Sequence, residues 1–268
     1  MSKTVVLITG ANTGLGYQMV RALCDGDRPY AVLVGGRSLD KAQKAVDDAA
    51  AEFPATQSSL RAIQVDIESD ASIEAAEETV RAEFGKLDAL VNNAGASYDD
   101  LYNAGEITMR EAWNKTWAVN TAGTQVMTNA FVPLLLKSSD PRLLFIASGT
   151  SSLVTADNTN LPFNRIPEAG WPKNIGGVNK MPAYRSSKTG MNMMMREWAR
   201  ILHADGVKVW ALSPGYLATG LGGSQEKNKA QGAQDPSVAG PFVREVLEGK
   251  RDDQVGKVIM RDGAVQSW

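Results

Sequence analysis

Tyr184 and Lys188 stand four positions apart in the run Tyr184-Arg185-Ser186-Ser187-Lys188. On a helix that spacing projects both side chains from one face. An isolated phenol loses its proton at about pH 10. A neighbouring ammonium favours the phenolate, so such a pair can exchange a proton with a reacting oxygen closer to neutrality. Tyr-x-x-x-Lys also arises by chance in many helices, and the pair gains meaning from a second feature near the start of the chain. That feature is Thr9-Gly10-Ala11-Asn12-Thr13-Gly14-Leu15-Gly16. It follows an apolar run and precedes a helix-period stretch with Met19, Val20 and Leu23. Glycines in that context permit a tight turn and close backbone approach to a pyrophosphate, while the helix N-terminus attracts phosphate charge. A purely structural turn would look similar; the strand and helix flanks favour a nucleotide. The Gly-x-x-x-Gly-x-Gly spacing from Gly10 to Gly16 departs from the common Gly-x-Gly-x-x-Gly fingerprint.

Both features need a scaffold, and the patterning supplies one. Strands are predicted at Val5–Thr9, Ala31–Val34, Leu60–Val65, Ala89–Asn92, Leu143–Ile146, Val207–Leu212 and Val258–Met260. Several are apolar throughout rather than alternating, as strands covered on both faces are. Helix stripes lie between them: Leu39, Ala42, Val46, Ala49 and Phe53 form one, and Ile73, Val80 and Phe84 another. Ser38 and Ser69 occupy predicted N-cap positions. Strand–helix alternation over the whole length predicts one α/β domain, residues 1–268, with a doubly wound, mainly parallel seven-stranded sheet. Two segments break the rhythm, 153–182 and 216–235. The first holds Pro162, Phe163, Pro167, Trp171 and Pro172; the second is rich in Gly, Gln, Asn and Lys from Gly220 to Asp235. Both are expected as long loops that bind substrate or act as lids, with ordinary surface insertion as the alternative.

The 268 residues are 43% hydrophobic and 22% charged, an ordinary globular composition with ample core. A formal charge of −2 offers no basic field to nucleic acid or an acidic membrane. Cys24 is the only cysteine, so no internal disulfide can form, and its apolar neighbours predict a packed thiol. No apolar run reaches membrane-spanning length. A first strand beginning by Thr4 leaves no room for a cleaved leader. These readings predict a soluble cytoplasmic protein. No residue cluster resembles a metal site.

With Asn92-Asn93-Ala94-Gly95, Asn120, Ser148 and Pro214-Gly215 added in order, the chain resembles the short-chain dehydrogenase/reductase superfamily, in its carbonyl-reductase-like branch. The resemblance implies a Rossmann fold and a nicotinamide cofactor held by Gly10, Asn12, Thr13, Gly14, Leu15 and Gly16. Asp66 and Ile67 match the adenine-contacting position, with a strand-end cap as the competing reading of Asp66. Asn93, Ala94 and Gly95 would let backbone approach a ribose, and Asn92 would tie neighbouring strands. Pro214, Gly215, Leu217 and Thr219 match the turn around the nicotinamide. A carboxylate at the end of the second strand would select NAD by binding the ribose 2′-hydroxyl. This chain has Arg37 and Ser38 there, suited to a 2′-phosphate. NADP(H) is therefore expected over NAD(H), with modest discrimination because Thr13 stands where many NADP-preferring relatives carry a second basic residue.

The resemblance further implies that Tyr184 gives a proton to the developing alkoxide of a carbonyl substrate. Lys188 would lower the tyrosine pKa and hold ribose hydroxyls, and Ser148 would donate to the carbonyl oxygen. Asn120 would position a water linking Lys188 to solvent, or act only as a polar kink in a long helix. Thr150, Ser151 and Ser152 compete with Ser148 should the strand register differ. Phe163, Trp171, Tyr216 and Tyr98 are expected to line an aromatic substrate pocket. His203 reads as a helix-end residue, and Met191, Met194 and Met195 as packing. Trp113 and Trp117 read as core or subunit contact; the 36 positions from Ser148 to Tyr184 (184 − 148) leave the oligomeric state open. The expected activity is NADPH-dependent reduction of a ketone, aldehyde or quinone. A pathway enzyme reducing an imine or guiding a cyclisation, and a non-catalytic nucleotide-bound sensor, are the alternatives.

Overall fold

Seven strands form one sheet in the order β3-β2-β1-β4-β5-β6-β7, every neighbouring pair parallel, in a computed structural model that describes residues 3–171, 173 and 181–268. The strands are β1 Thr4–Ile8, β2 Tyr30–Gly36, β3 Ser59–Gln64, β4 Ala89–Asn92, β5 Arg142–Ile146, β6 Lys208–Ser213 and β7 Val258–Met260. All seven lie where the apolar runs predicted them. The largest difference is β2, which extends to Gly36 because Gly35 and Gly36 pair with Ile63 and Gln64. Every residue of β2, β4 and β5 is buried, so these strands carry no alternation.

Successive side chains point to opposite faces, and each face has its own helical layer. Val5 and Leu7 join Ile73, Val80, Phe131, Met191 and Met195 in one core. Those residues come from α3 Asp70–Phe84, α6 Thr124–Leu135 and α8 Pro182–Ile201. Val6 and Ile8 join Met19, Leu23, Val46 and Phe242 in the other, from α1 Gly14–Cys24, α2 Leu39–Glu52 and α10 Gly240–Leu247. Ser38 and Ser69 cap α2 and α3, accepting from the Lys41 and Ser72 amides. Leu39 departs from its predicted stripe; at the first helical position it stays 47% exposed. Cys24 is buried, and burial pushes its thiol up to about 11. His203 is exposed just past α8.

The helix predicted through Trp117 is interrupted. α5 Met109–Trp117 runs into a π-helical turn, Ala118–Gly123, before α6 begins. Such turns accommodate an extra residue per turn, and here the turn turns Asn120 inward. Gly123 closes the contact with the loop after β3: an added Cβ would lie 2.2 Å from the Ile67 carbonyl oxygen. The two segments expected as irregular loops also carry short helices. They are α7 Leu153–Ala156 in the first and α9 Gln225–Ala230, capped by Ser224, in the second. A further short α-helix, α4 Asp99–Asn103, follows β4. Pro172 and residues 174–180 of the first segment lie outside the described residues.

Candidate functional site

The predicted residues gather at the carboxyl ends of the strands, where open parallel sheets bind ligands. The glycine turn leaves β1 with Gly10 and Gly14 at φ +60° and +54°, a region that penalises any side chain. Gly16 has no room for one either, since a Cβ would come within 2.4 Å of the Gly10 carbonyl oxygen and 2.6 Å of Asn93 Nδ2. Thr13 stands before α1 without capping it, and the first turn holds no acid. The opening amides of α1 therefore meet no carboxylate from that first turn, the arrangement that suits a phosphate. Asn12 Oδ1 fills the side-chain space of Gly36 at the end of β2, 3.1 Å from where a Cβ would stand, and Leu15 packs on the core below. The residues of the glycine turn thus fit the local backbone.

Thr9 is the hub of this corner, although sequence reasoning gave it no role of its own. Its buried hydroxyl donates to the Val91 carbonyl and accepts from the amides of Asn93 and Ala94, both at 3.0 Å. The Asn93 amide group donates to the carbonyls of Thr9 and Gly10 at 2.8 and 3.1 Å. Asn93 therefore joins the strand ends, the role expected of Asn92. Asn92 instead faces the helical layer and donates to Thr128 Oγ1 at 3.0 Å. Successive residues leaving β4 point opposite ways, so the strand-joining role falls to Asn93 rather than Asn92. Ala94 lies against Gly10, where a Cβ would meet its Cα at 3.0 Å.

At the end of β2, Arg37 is exposed and has no ion-pair partner among the described residues. Ser38 uses its oxygen as the α2 cap, leaving its hydroxyl proton to donate. Asp66 behaves as the strand-end cap: Oδ1 accepts from the Glu68 amide at 3.1 Å. Ile67 is buried in the core.

Tyr184 is half-buried, and the Ser148 hydroxyl lies close enough to its phenol to influence the phenol's pKa. Burial pushes the phenol up to about 12, with the Ser148 hydroxyl opposing. Lys188 is 3% exposed and donates from Nζ to the Ile146 carbonyl at 2.8 Å; burial pushes it down to about 7. Its Nζ lies 5.8 Å from the Tyr184 ring centroid. The lowering expected from Lys188 does not bring the phenol below its ordinary value, because burial acts on both groups against their charged forms. Gly95 faces the same centre: a Cβ there would sit 3.2 Å from Asn120 Oδ1 and 3.4 Å from Lys188 Nζ.

Asn120 is fully buried and donates from Nδ2 to the Ala96 carbonyl at 2.8 Å and to Ser187 Oγ at 2.9 Å. Oδ1 accepts from the Ala96 amide at 2.9 Å. Both donors are committed to protein groups, which leaves one acceptor position on Oδ1 for a water. Among the competing hydroxyls, Ser151 donates to the Ser148 carbonyl at 2.6 Å and Ser152 caps α7. Thr150 Oγ1 lies 2.9 Å from Ser148 Oγ. Of these hydroxyls, Ser148 is the one whose proximity acts on the Tyr184 phenol.

Pro214 and Gly215 leave β6 at a turn with Gly215 at φ +93°. Leu217 is buried and bridges Gln234; Thr219 lies over the start of α1, 3.6 Å from where a Gly14 Cβ would be. The segment bearing α9 is tied to its own start and to α4: Asn228 Nδ2 donates to the Thr219 and Leu221 carbonyls, and Lys227 pairs with Asp100 at 3.2 Å. The aromatic lining is narrower than predicted. Trp171 is 86% exposed, and Tyr98 sits beneath Lys115 at 5.7 Å. Phe163 is held below the Arg185 guanidinium at 5.4 Å, and Tyr216 presents a half-exposed ring with its hydroxyl on Asn228 and Gln231. Arg185, overlooked beside the tyrosine, also donates to the carbonyls of Thr150 and Phe163 and to Asn164 Oδ1. It orders the segment after Ser148; only its adjacency to Tyr184 could have signalled this.

Met191 and Met195 are fully buried, as expected of packing. Trp117, Met194, Trp198 and Ile201 line a separate groove of about 660 Å³ that none of the predicted site residues touches.

A strand–glycine turn–helix corner facing a Ser–Tyr–Lys cluster defines a nucleotide-dependent oxidoreductase architecture. The family model described as short chain dehydrogenase matches residues 4–159 and 174–230. The short-chain dehydrogenase/reductase eupG of Phoma sp is 46% identical over 275 residues, covering 99% of this chain and 98% of that protein. The short-chain dehydrogenase/reductase tropE of Talaromyces stipitatus is 46% identical over 267 residues, with the same coverage of 99% and 98%. Among solved structures, NADPH-bound carbonyl reductase from chicken fatty liver superposes with a TM-score of 0.78 at 23% identity, covering 100% of both chains. An alcohol dehydrogenase from the archaeon Thermococcus sibiricus, complexed with 5-hydroxy-NADP, gives 0.73 at 25% identity over 99% and 97%. The chain belongs to the short-chain dehydrogenase/reductase family, whose members are oxidoreductases that use a nicotinamide cofactor and small-molecule substrates. No helix is long and apolar enough to cross a membrane among the described residues.

Proposed function

We propose that this protein reduces a ketone, aldehyde or quinone carbonyl to an alcohol at the expense of NADPH. The observation that carries the proposal is the Tyr184 phenol next to the Ser148 hydroxyl, with Lys188 buried on the same helix and bonded to the Ile146 carbonyl at the strand end. Bound NADPH supplies the hydride. Tyr184 keeps its proton at neutral pH and so stands ready to give it to the substrate oxygen as negative charge grows there. Ser148 donates a hydrogen bond to that same oxygen, fixed by its own contacts to Thr150. Lys188, near 7, exchanges protons easily at physiological pH and restores the one that Tyr184 gives up. It also holds the ribose hydroxyls. Asn120 holds the loop after β4 against α8 through Ala96 and Ser187 and offers its remaining acceptor position to a relay water.

The remaining residues would hold the dinucleotide. Gly10, Asn12, Thr13, Gly14, Leu15 and Gly16 take the pyrophosphate, Asp66 and Ile67 the adenine, and Asn93, Ala94 and Gly95 the ribose. Pro214, Gly215, Leu217 and Thr219 take the nicotinamide. Arg37 and the Ser38 hydroxyl take the 2′-phosphate, an assignment supported by the absence of any carboxylate at the end of β2 and by the unpaired guanidinium. Segments 153–182 and 216–235 frame the substrate, with Phe163 and Tyr216 as apolar surface.

The test is NADPH oxidation against a panel of ketones, aldehydes and quinones, with Tyr184→Phe alongside. The variant removes one hydroxyl and should lower kcat by about 10² to 10⁴-fold, the usual worth of a positioned proton donor. Turnover equal to the parent would remove Tyr184 from the role.

A further inference from the structure

The first turn of α8 carries Tyr184, and its backbone accounting leads to a residue 85 positions away. A helix opens with amides that have no internal partner. Met181 occupies the N-cap position and offers no side-chain acceptor; Pro182, the first helical residue, has no N–H at all. The Arg185 amide reaches the Met181 carbonyl, which closes the turn. Two amides remain, those of Ala183 and Tyr184. Both go to one carboxylate. Asp99 Oδ1 accepts from Ala183 at 3.0 Å and Oδ2 from Tyr184 at 2.9 Å. Ser97 Oγ donates to Oδ2 at 3.2 Å, and the Asp99 side chain is buried, 2% exposed.

A buried carboxylate is costly unless its oxygens are bonded. Burial drives the Asp99 carboxyl up, and the three donated bonds pull it back down. A serine or threonine at position 181 would cap the helix locally, as Ser38 and Ser69 do elsewhere in this chain, without burying a charge. The remote acid does something those caps do not: it ties the backbone of the tyrosine itself to α4, which follows directly from the Gly95 loop. Position along the helix axis and rotation about it are set by the same two-pronged contact.

We propose that Asp99 is a positioning residue for the reaction, clamping the Ala183 and Tyr184 amides so that the Tyr184 hydroxyl is held at its working distance from Ser148 and the substrate oxygen. This rests on Tyr184 being the proton donor. Misplacing a reacting group by about 1 Å costs on the order of 10²-fold in rate. Asparagine at position 99 is isosteric but has a single acceptor atom, and its NH2 group would face one of the two amides. One clamp bond is then lost and a donor–donor contact replaces it.

The experiment is steady-state kinetics of Asp99→Asn and Asp99→Ala on the full chain. The substrate is whichever carbonyl compound of the panel gives the fastest NADPH oxidation, and NADPH affinity is read by fluorescence titration. The expected result is a fall in kcat of about tenfold or more for Asp99→Asn and more for Asp99→Ala. NADPH Kd should stay within about twofold, and the solvent deuterium isotope effect on kcat should rise as proton transfer slows. A kcat within about twofold of the parent in a folded Asp99→Asn would overturn the proposal. So would a loss of kcat that tracks a loss of NADPH affinity with an unchanged isotope effect, the pattern of a general structural role. Hydrogen exchange on the parent protein gives a reading that needs no variant. The amides of Ala183 and Tyr184 should be protected, and fast exchange at both would equally sink the clamp. A dead Tyr184→Phe beside a fully active Asp99→Asn would reject the clamp alone; an active Tyr184→Phe would reject the donor assignment beneath it.

Discussion

Lys188→Met should make the ligand-free protein more stable at neutral pH, which is an unusual outcome for a residue at the centre of a site. The lysine is 3% exposed and its ammonium is pushed from 10.5 down to about 7. At about 1.4 kcal/mol per pH unit, that fall is worth about 3–5 kcal/mol between the charged and neutral forms once the bond to the Ile146 carbonyl is allowed for. Between about pH 7 and 10.5 the unfolded chain holds a proton on this lysine that the folded chain has released. Stability therefore rises with pH through that window, and below it the full burial penalty applies. Tyr184 works oppositely at the top: raised to about 12, it holds its proton when the unfolded phenol has lost it, so stability falls from about pH 10 upward. Urea unfolding at several pH values, with and without the substitution, isolates the lysine because all other groups are common to both proteins. The parent-minus-variant difference should be largest near pH 7 and shrink toward pH 10. A pH-independent difference would refute the account. Saturating NADPH should flatten the slope as the lysine gains polar partners.

Arg37→Asp should reverse the cofactor preference, raising KM for NADPH by about 10²-fold through charge repulsion while improving turnover with NADH; paired kinetics with both cofactors decide it, and an unchanged KM ratio would count against the 2′-phosphate assignment. Arg142→Leu should cost about 3–5 kcal/mol, because the buried guanidinium joins Asp140, Asp252 and the Val246 carbonyl at the far end of the sheet. Chemical denaturation measures that loss, and kcat per folded molecule should not move.

How much of this was legible from the chain differs by kind of information. Strand positions, the caps at Ser38 and Ser69, the glycine turn and the Ser148 register follow from local pattern, because burial on both faces leaves an uninterrupted apolar run and a tight turn demands glycine. Tyr184 and Lys188 on one face of a helix is likewise a statement about four residues. What local pattern could not decide was which groups meet across the fold. Asn93 rather than Asn92 joins the strand ends, because successive residues point to opposite sides of the sheet. Trp171 turns outward despite its aromatic character, and Asn120 reaches Ala96 and Ser187 only through a π-helical turn no propensity announces. The pKa order of Tyr184 and Lys188 is the clearest instance. Sequence spacing set the two side by side, but only the surrounding packing took Lys188 out of water and half-covered Tyr184, and desolvation then dominates both shifts. Asp99 belongs to the same class: its partners are two amides more than 80 positions away, and tertiary folding alone brings that carboxylate to the opening of the helix it holds.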